Sequence, residues 1–318
     1  MNQPSFDPGL TQKYDSPLRR TFNADGSFNV VRRGTHWRDI HPYLHLVSVS
    51  WSRFFGFVLT AYVLVNVIFA SIYFALGPES LAGGMAPEQG VARFLKDVFF
   101  SSQTLTTVGF GAIYPNTTAA NAVAAIEALV GLLGFAVVTG LLFGRVSRPS
   151  ARIGFSERAL IAPYQGGTSL QFRVVNRRAN SLMEMQATVT LMRVKPEDGG
   201  KLRSFDVLNL ERSSVIFFPL TWTVVHPIDN SSPLNGKTPQ DLAAAQAEIL
   251  IVLKAWDETF SQTVYQRFSY RYDEIVWGGK FTPAFHVNGS GDLELEVDRV
   301  GAHEQVPGLI TQTAAQSS

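Results

Sequence analysis

Two long apolar runs interrupt an otherwise mixed chain. Phe54–Leu76 holds 23 residues without a charge, and Ala119–Gly144 carries Glu127 as its one charged residue. As a helix, the first run extends about 35 Å at 1.5 Å per residue, enough to cross a hydrocarbon core of about 30 Å. Trp51 and Tyr73 lie near its ends, where interfacial aromatics gather. Between the runs, Val91–Thr104 reads as an amphipathic helix whose apolar face is Phe94, Val98, Phe99 and Leu105. It is too short to cross a bilayer, which predicts a re-entrant segment. Beyond Pro149 the period changes to two. Ala187, Val189 and Leu191 alternate with threonines, Phe268, Tyr270 and Tyr272 with Ser269 and Arg271, and Leu293, Leu295 and Val297 with glutamates. Short alternating strands separated by Gly, Pro and Asn turns predict an antiparallel β-sandwich. Thr238-Pro239-Gln240-Asp241 has the residues of a helix start.

The pattern divides the chain into a flexible N-terminus (1–34), a membrane domain (35–150), a β-sandwich (151–299) and a small, polar, disordered tail (300–318). Its fold class is a membrane α-helical pore domain, with two transmembrane helices and a re-entrant pore helix, joined to an all-β sandwich. His36–Leu46 mixes charge with Trp, Tyr and Leu, as an interfacial helix on the inner leaflet interrupted or kinked at Pro42 does. His41 and His45 are four apart, but without a third ligand they read as surface histidines.

Composition narrows this picture. The 318 residues suit two units, and 17% charged residues with a net charge of +1 give no reason to expect nucleic acid. The chain has no cysteine, which excludes disulfides and thiolate metal sites. The start is polar, with Pro4, Pro8 and Pro17 and no apolar core of a signal peptide. Among the motifs there is no nucleophile elbow, phosphate-binding glycine loop or metal signature, so no enzyme is expected and no cofactor.

The chemistry concentrates in Thr104-Leu105-Thr106-Thr107-Val108-Gly109-Phe110-Gly111, directly after the re-entrant helix. A dehydrated K⁺ needs a cage of oxygens, which the carbonyls of Thr107, Val108, Gly109, Phe110 and Gly111 can supply, with the Thr107 hydroxyl as a lower ring. Gly109 and Gly111 permit the positive φ that turns carbonyls to one side. One chain supplies a quarter of each cage, so four copies around an axis are expected. The octapeptide between two spans therefore reads as a potassium-selectivity filter.

Flanking charge sets the orientation. Arg32, Arg33, Arg38 and Arg53 precede the first span, and Arg145, Arg148, Arg152 and Arg158 follow the second. The loop between has no basic excess, so both termini are expected in the cytoplasm of a multi-pass protein of the plasma (inner) membrane. The second span would line the pore. Gly131, Gly134, Gly140 and Gly144 suit either close packing or bending. Phe143, one turn from its cytoplasmic end, forms an apolar gate if it faces the axis; facing lipid or the first helix is the alternative. Glu127 is costly at membrane depth, about 2.5–3.5 kcal/mol if ionised; a partner behind the filter or a neutral protonated form offsets that, and support of the filter is expected rather than direct ion binding.

Further segments carry a resemblance: Arg145-Val146-Ser147-Arg148-Pro149, Phe172–Arg178, Pro219–His226, Ser232-Pro233-Leu234 and Tyr272–Gly278. With the filter, they resemble the prokaryotic inward-rectifier potassium channels over residues of about 30 to 290. The resemblance implies a four-fold homotetramer, an immunoglobulin-like cytoplasmic domain that extends the pore, an inner-leaflet slide helix and control by anionic membrane phospholipids. It puts Phe143 at the bundle-crossing gate and Arg145 and Arg148 among lipid headgroups, with Arg152 in the same basic cluster. Such a cluster attracts anionic headgroups at about 1 kcal/mol per charge. Departures stand beside it. Phe135 occupies the pore-lining position that carries an acid in many animal relatives, leaving Asp257 or Glu258 as a weaker cytoplasmic pore site. Gln103 replaces the acid before the filter, Ile113 replaces its basic partner, and Ser150-Ala151 replaces a basic pair. The expected function is a passive K⁺-selective channel of inward-rectifier type, with K⁺ only as the permeant ion. The alternatives are a weakly selective cation channel and a ligand-sensing membrane protein of low conduction.

Overall fold

A computed structural model describes residues 8–10, 13–14, 20–23, 26–31, 33–34, 36, 41–84, 90–147, 152–197 and 200–306. Chain order runs from a short strand β1 (Lys13–Tyr14) to helix α1 (Pro42–Ser48), helix α2 (Trp51–Ala75) and strand β2 (Leu81–Gly83). Helix α3 (Val91–Leu105), strand β3 (Ile113–Pro115) and helix α4 (Thr118–Val146) complete one unit, residues 32–148.

In that unit α2 and α4 are the two predicted spans, each with a mean hydropathy of 2.2 and only 11% of its most apolar stretch buried. A helix so apolar and so little buried within its own chain is built for an apolar surrounding rather than for a core. Pro42 does not interrupt α1 but begins it, at the first helical turn where its missing N–H costs nothing. His41 and His45 are exposed, and no group of three potential ligands able to hold a metal lies among the described residues. Thr117 caps α4 by accepting the Ala120 N–H at 3.2 Å. Strands β2 and β3 pair and bring the segment after the filter back beside the end of α2. Trp37, Arg38, Arg148, Pro149, Ser150 and Ala151 lie outside the described residues.

The other unit is a two-sheet sandwich. Its strands are β4 (Ile153–Phe155), β5 (Ala159–Tyr164), β6 (Gly167–Asn176), β7 (Leu182–Glu197), β8 (Gly200–Val207), β9 (Ser214–Phe217), β10 (Thr221–Ile228), β11 (Glu248–Asp257) and β12 (Gln262–Arg271). Three-residue strands follow as β13 (Ile275–Trp277), β14 (Gly279–Phe281), β15 (Phe285–Val287), β16 (Leu293–Leu295) and β17 (His303–Gln305). One sheet is ordered β1-β8-β7-β11-β12 with β9 on β7, and the other β10-β6-β5-β13 with β4 on β6. All pairs are antiparallel except β13 with β5. Leu170, Phe172 and Val174 from one sheet meet Val189, Leu191, Ile249, Ile251 and Tyr270 from the other in a single core. Helix α5 (Pro239–Ala244) starts with the expected reciprocal cap, Thr238 Oγ1 accepting from Asp241 N at 3.2 Å and Asp241 Oδ2 from Thr238 N at 2.8 Å.

Both predicted flexible ends are corrected within the described residues. Phe22 is buried against Met192, Phe205 and Leu250, and Arg20 pairs with Glu274 at 3.1 Å. The Thr21 N–H and hydroxyl both bind the Glu248 carboxylate, the hydroxyl at 2.7 Å. At the other end Val297–Gly301 forms a 3₁₀ turn with Val300 buried, and β17 pairs with β14. Neither segment carries a periodicity of its own; a distant partner supplies the order. Val297 therefore leaves the predicted β16 alternation, and Leu293 on that hairpin is exposed.

Candidate functional site

The end of α3 leads into the segment expected to be the filter. Thr106 N–H still reaches back to Ser102 O at 3.1 Å, and Thr107 N–H to Thr104 O at 3.0 Å. The Gln103 carbonyl then receives two N–H groups, from Val108 at 2.9 Å and Gly109 at 3.3 Å, which closes the helix and turns the chain out of it. Beyond this point φ is positive at every second residue: 60° at Thr107, 57° at Gly109 and 76° at Gly111. In a plain strand successive carbonyls point to opposite sides. Alternating the sign of φ rotates them toward one side instead, as a ladder of ion-coordinating oxygens requires. Glycine takes this conformation freely, whereas β-branched Thr107 carries strain of about 1–3 kcal/mol that its surroundings must hold. Val108 and Phe110 are exposed, so the segment forms an open edge of the chain. The carbonyl end of α3 also lies here, and its dipole favours a cation.

Three helices brace this edge from behind. Glu127 on α4 is fully buried and accepts the Tyr73 hydroxyl of α2 at 2.8 Å on Oε2, while its Oε1 contacts the Ser101 hydroxyl of α3. Ser101 Oγ lies 3.0 Å from Asn66 Oδ1 of α2, and Tyr62 OH lies 2.6 Å from Ser102 Oγ. Tyr73 packs edge-on against Phe100, with Ile113 against the same cluster. Gly131 of α4 passes so close to the Leu105 carbonyl that any Cβ there would collide with it. Two expectations change. Tyr73 is no interfacial aromatic but a fully buried donor. The buried face of α3 is Asp97, Phe100 and Ser101, whereas Phe99 is exposed and Phe94, Val98 and Leu105 are half-buried. In a membrane unit the polar side chains seek one another inside, which inverts the rule used to choose the face.

The remaining predicted residues fall in several places. Phe135 and Phe143 on α4 are both 73% exposed, so Phe143 is not packed against the first helix of its own chain. Gly144 meets Tyr43 of α1, whose hydroxyl is 2.5 Å from where a Cβ would stand. Arg145 is not free for a headgroup. Its guanidinium donates to the carbonyls of Leu46 at 2.5 Å and Val49 at 2.7 Å and lies over the rings of Trp51 and Phe54. It fastens the end of α4 to the α1–α2 junction. Arg152 is exposed. Asp257 is fully buried and does not line a pore: it accepts Asn180 Nδ2 at 2.9 Å and the N–H groups of Thr259 and Phe260, capping the turn after β11. Glu258 beside it is exposed. Sequence reading missed Tyr73 and Ser101 as partners of Glu127, and Asn66 as the partner of Ser101. The available signal was the seven-residue spacing of Asn66 and Tyr73, which puts two polar groups on one face of an apolar helix.

Two family models match the chain. Residues 50–148 match an ion channel model, and residues 153–318 match the inward rectifier potassium channel C-terminal domain. Inward rectifier potassium channel Kirbac3.1 of Paramagnetospirillum magnetotacticum is 35% identical over 284 residues, covering 88% of this chain and 94% of that protein. The mouse ATP-sensitive inward rectifier potassium channel 12 is 28% identical, over 71% of this chain and 56% of its own length. The human G protein-activated inward rectifier potassium channel 1 is 26% identical, over 96% of this chain and 65% of its own.

Proposed function

Because this chain belongs to the inward rectifier potassium channel family, and is an ion-channel protein rather than an enzyme, we propose that four copies surround one axis and pass K⁺ passively. The carbonyls of Thr107, Val108, Gly109, Phe110 and Gly111, with the Thr107 hydroxyl, replace the hydration shell of the ion. The observation that carries this reading is the alternation of positive φ at 107, 109 and 111 at the carbonyl end of α3. Gln103 and Glu127 support the filter, Gln103 through its doubly used carbonyl and Glu127 through Tyr73 and Ser101.

Below the filter Phe135 lines the pore and Phe143 closes it, four rings forming an apolar constriction that gates by dewetting. Arg148 and Arg152 attract anionic phospholipid headgroups, and Arg145 transmits the position of α1 to the end of α4. Both termini lie on the cytoplasmic side of the inner membrane, the basic flanks setting that orientation. The channel needs no cofactor, and nucleic acid is no partner.

Proteoliposomes loaded with K⁺ test the reading: they should take up Rb⁺ tracer readily and Na⁺ tracer poorly. Equal uptake of the two would favour the second reading, a weakly selective cation channel. Ile113, an apolar residue packed behind the filter without any ionic brace to Gln103, is the observation behind that alternative. Flux that ignores anionic lipid would remove Arg148 and Arg152 from the account.

A further inference from the structure

The group behind the filter can be counted proton by proton. Asn66 Nδ2 donates to the Tyr62 carbonyl at 2.8 Å, so its Oδ1 is turned toward Ser101. The reverse amide orientation would set two acceptors face to face at Tyr62. Tyr73 spends its proton on Glu127 Oε2. Ser101 Oγ is then in contact with two acceptors, Asn66 Oδ1 at 3.0 Å and Glu127 Oε1, with the Asn66 carbonyl a third at 3.4 Å. A serine owns one proton. Were Glu127 ionised, one of those close contacts would place lone pair against lone pair, where both residues are fully buried. Glu127 has no ion-pair partner among the described residues. One more proton resolves the count.

We propose that Glu127 is a neutral carboxylic acid in the working protein and donates its proton to Ser101, making a directional strut that positions the filter. The chain of donors then runs without a break from Glu127 on α4 to Ser101 on α3, from Ser101 to Asn66 on α2, and from Asn66 to the Tyr62 carbonyl. Tyr73 closes it by donating to the carbonyl oxygen of the same acid. Ser101 stands one turn before Leu105 and two residues before Gln103, whose carbonyl holds Val108 and Gly109. The strut thereby fixes the part of α3 from which the filter departs. Glu127 touches no ion; it is a positioning residue. The inference rests on reading residues 107–111 as the filter only for its consequence, not for the proton count.

Infrared difference spectra of the reconstituted full-length protein at neutral pH, wild type minus Glu127→Gln, test the proton directly. A protonated-carboxyl carbonyl band present in wild type and missing in the variant is expected. A carboxylate band in its place overturns the proposal. Bi-ionic reversal potentials test the strut: Glu127→Gln, whose amide can donate to Ser101 and accept from Tyr73, retains the wild-type K⁺/Na⁺ preference. Glu127→Ala and Ser101→Ala lower it about tenfold, the effect of leaving one buried hydrogen-bonding group unsatisfied. A Glu127→Gln channel as unselective as Glu127→Ala overturns the strut, because it would show that the charge is needed. Should Glu127→Ala fail to assemble, Ser101→Ala and the spectra still decide. A wild-type protein that passes no K⁺ contradicts the proposed function and leaves the infrared result standing.

Discussion

The two units are held together in different ways. In the sandwich Phe172, Ile249, Ile251 and Leu253 are inside. In the helical unit Asn66, Asp97, Ser101 and Glu127 are buried beside Tyr73, Phe100 and Ala120, while Leu59, Val63, Leu64 and Ile68 of α2 face outward. Water drives the first arrangement, since burying apolar surface is what stabilises a soluble core. Lipid removes that drive, and helices in it associate through close packing and hydrogen bonds instead. The filter's neighbourhood is thus held by a few directed contacts, and the sandwich by many undirected ones.

Truncation at matched positions breaks or sharpens this contrast. Leu253→Ala in the sandwich should cost about 2–5 kcal/mol, as large-to-small changes in a packed core do. Leu59→Ala on the outer face of α2 should stay within about 0.5 kcal/mol in lipid. Thermal unfolding of both variants checks the pair, and equal losses would mean that α2 packs against protein along that face.

At the proposed gate, Phe143→Ala should raise basal K⁺ flux severalfold by removing the apolar constriction. Unchanged flux in a correctly assembled protein would place that side chain against lipid. Arg145→Gln should cost about 1–3 kcal/mol, through the loss of charged hydrogen bonds to Leu46 and Val49 and of the stacking on Trp51 and Phe54. A variant melting at the wild-type temperature would show that the fastening contributes nothing.

The smallest effect concerns pH. His226 is buried in the sandwich, with Nδ1 2.6 Å from the Asn209 carbonyl and Nε2 2.8 Å from Ser232 Oγ. Burial lowers its pKa from the ordinary 6.5, although the Asn209 carbonyl and Asp229 oppose the shift. The unfolded chain therefore binds the proton more readily than the folded one, and stability falls as pH drops below about 6.5. The slope is at most about 1.4 kcal/mol per pH unit for this one group. Melting curves at pH 7.5 and 5.5 should show the loss, and His226→Gln should flatten it; an identical slope in the variant would assign the effect elsewhere.

Local signals made much of this legible. The filter lies in eight consecutive residues, the spans in uninterrupted apolar runs, and the strands in their alternation. What stayed hidden depends on distant partners. Tyr73 and Glu127 are 54 residues apart, and the spacing of Asn66 and Tyr73 marks a polar face on α2 without naming its partner. Arg145 and Asp257 had the right charge for headgroups and a pore, but carbonyls 96 and 99 residues away and a turn of backbone N–H groups take them up. The pore-helix face was misjudged because an apolar stripe marks the inside only where the outside is water. Residues 303–305 have no strand pattern and become a strand because β14 offers an edge.

The central claim is that residues 107–111 form a K⁺-selective filter. Its most direct test is the reversal potential of reconstituted wild-type protein with K⁺ on one side of the bilayer and Na⁺ on the other. A potential close to the K⁺ limit is expected; a potential near zero would mean that residues 107–111 do not select K⁺.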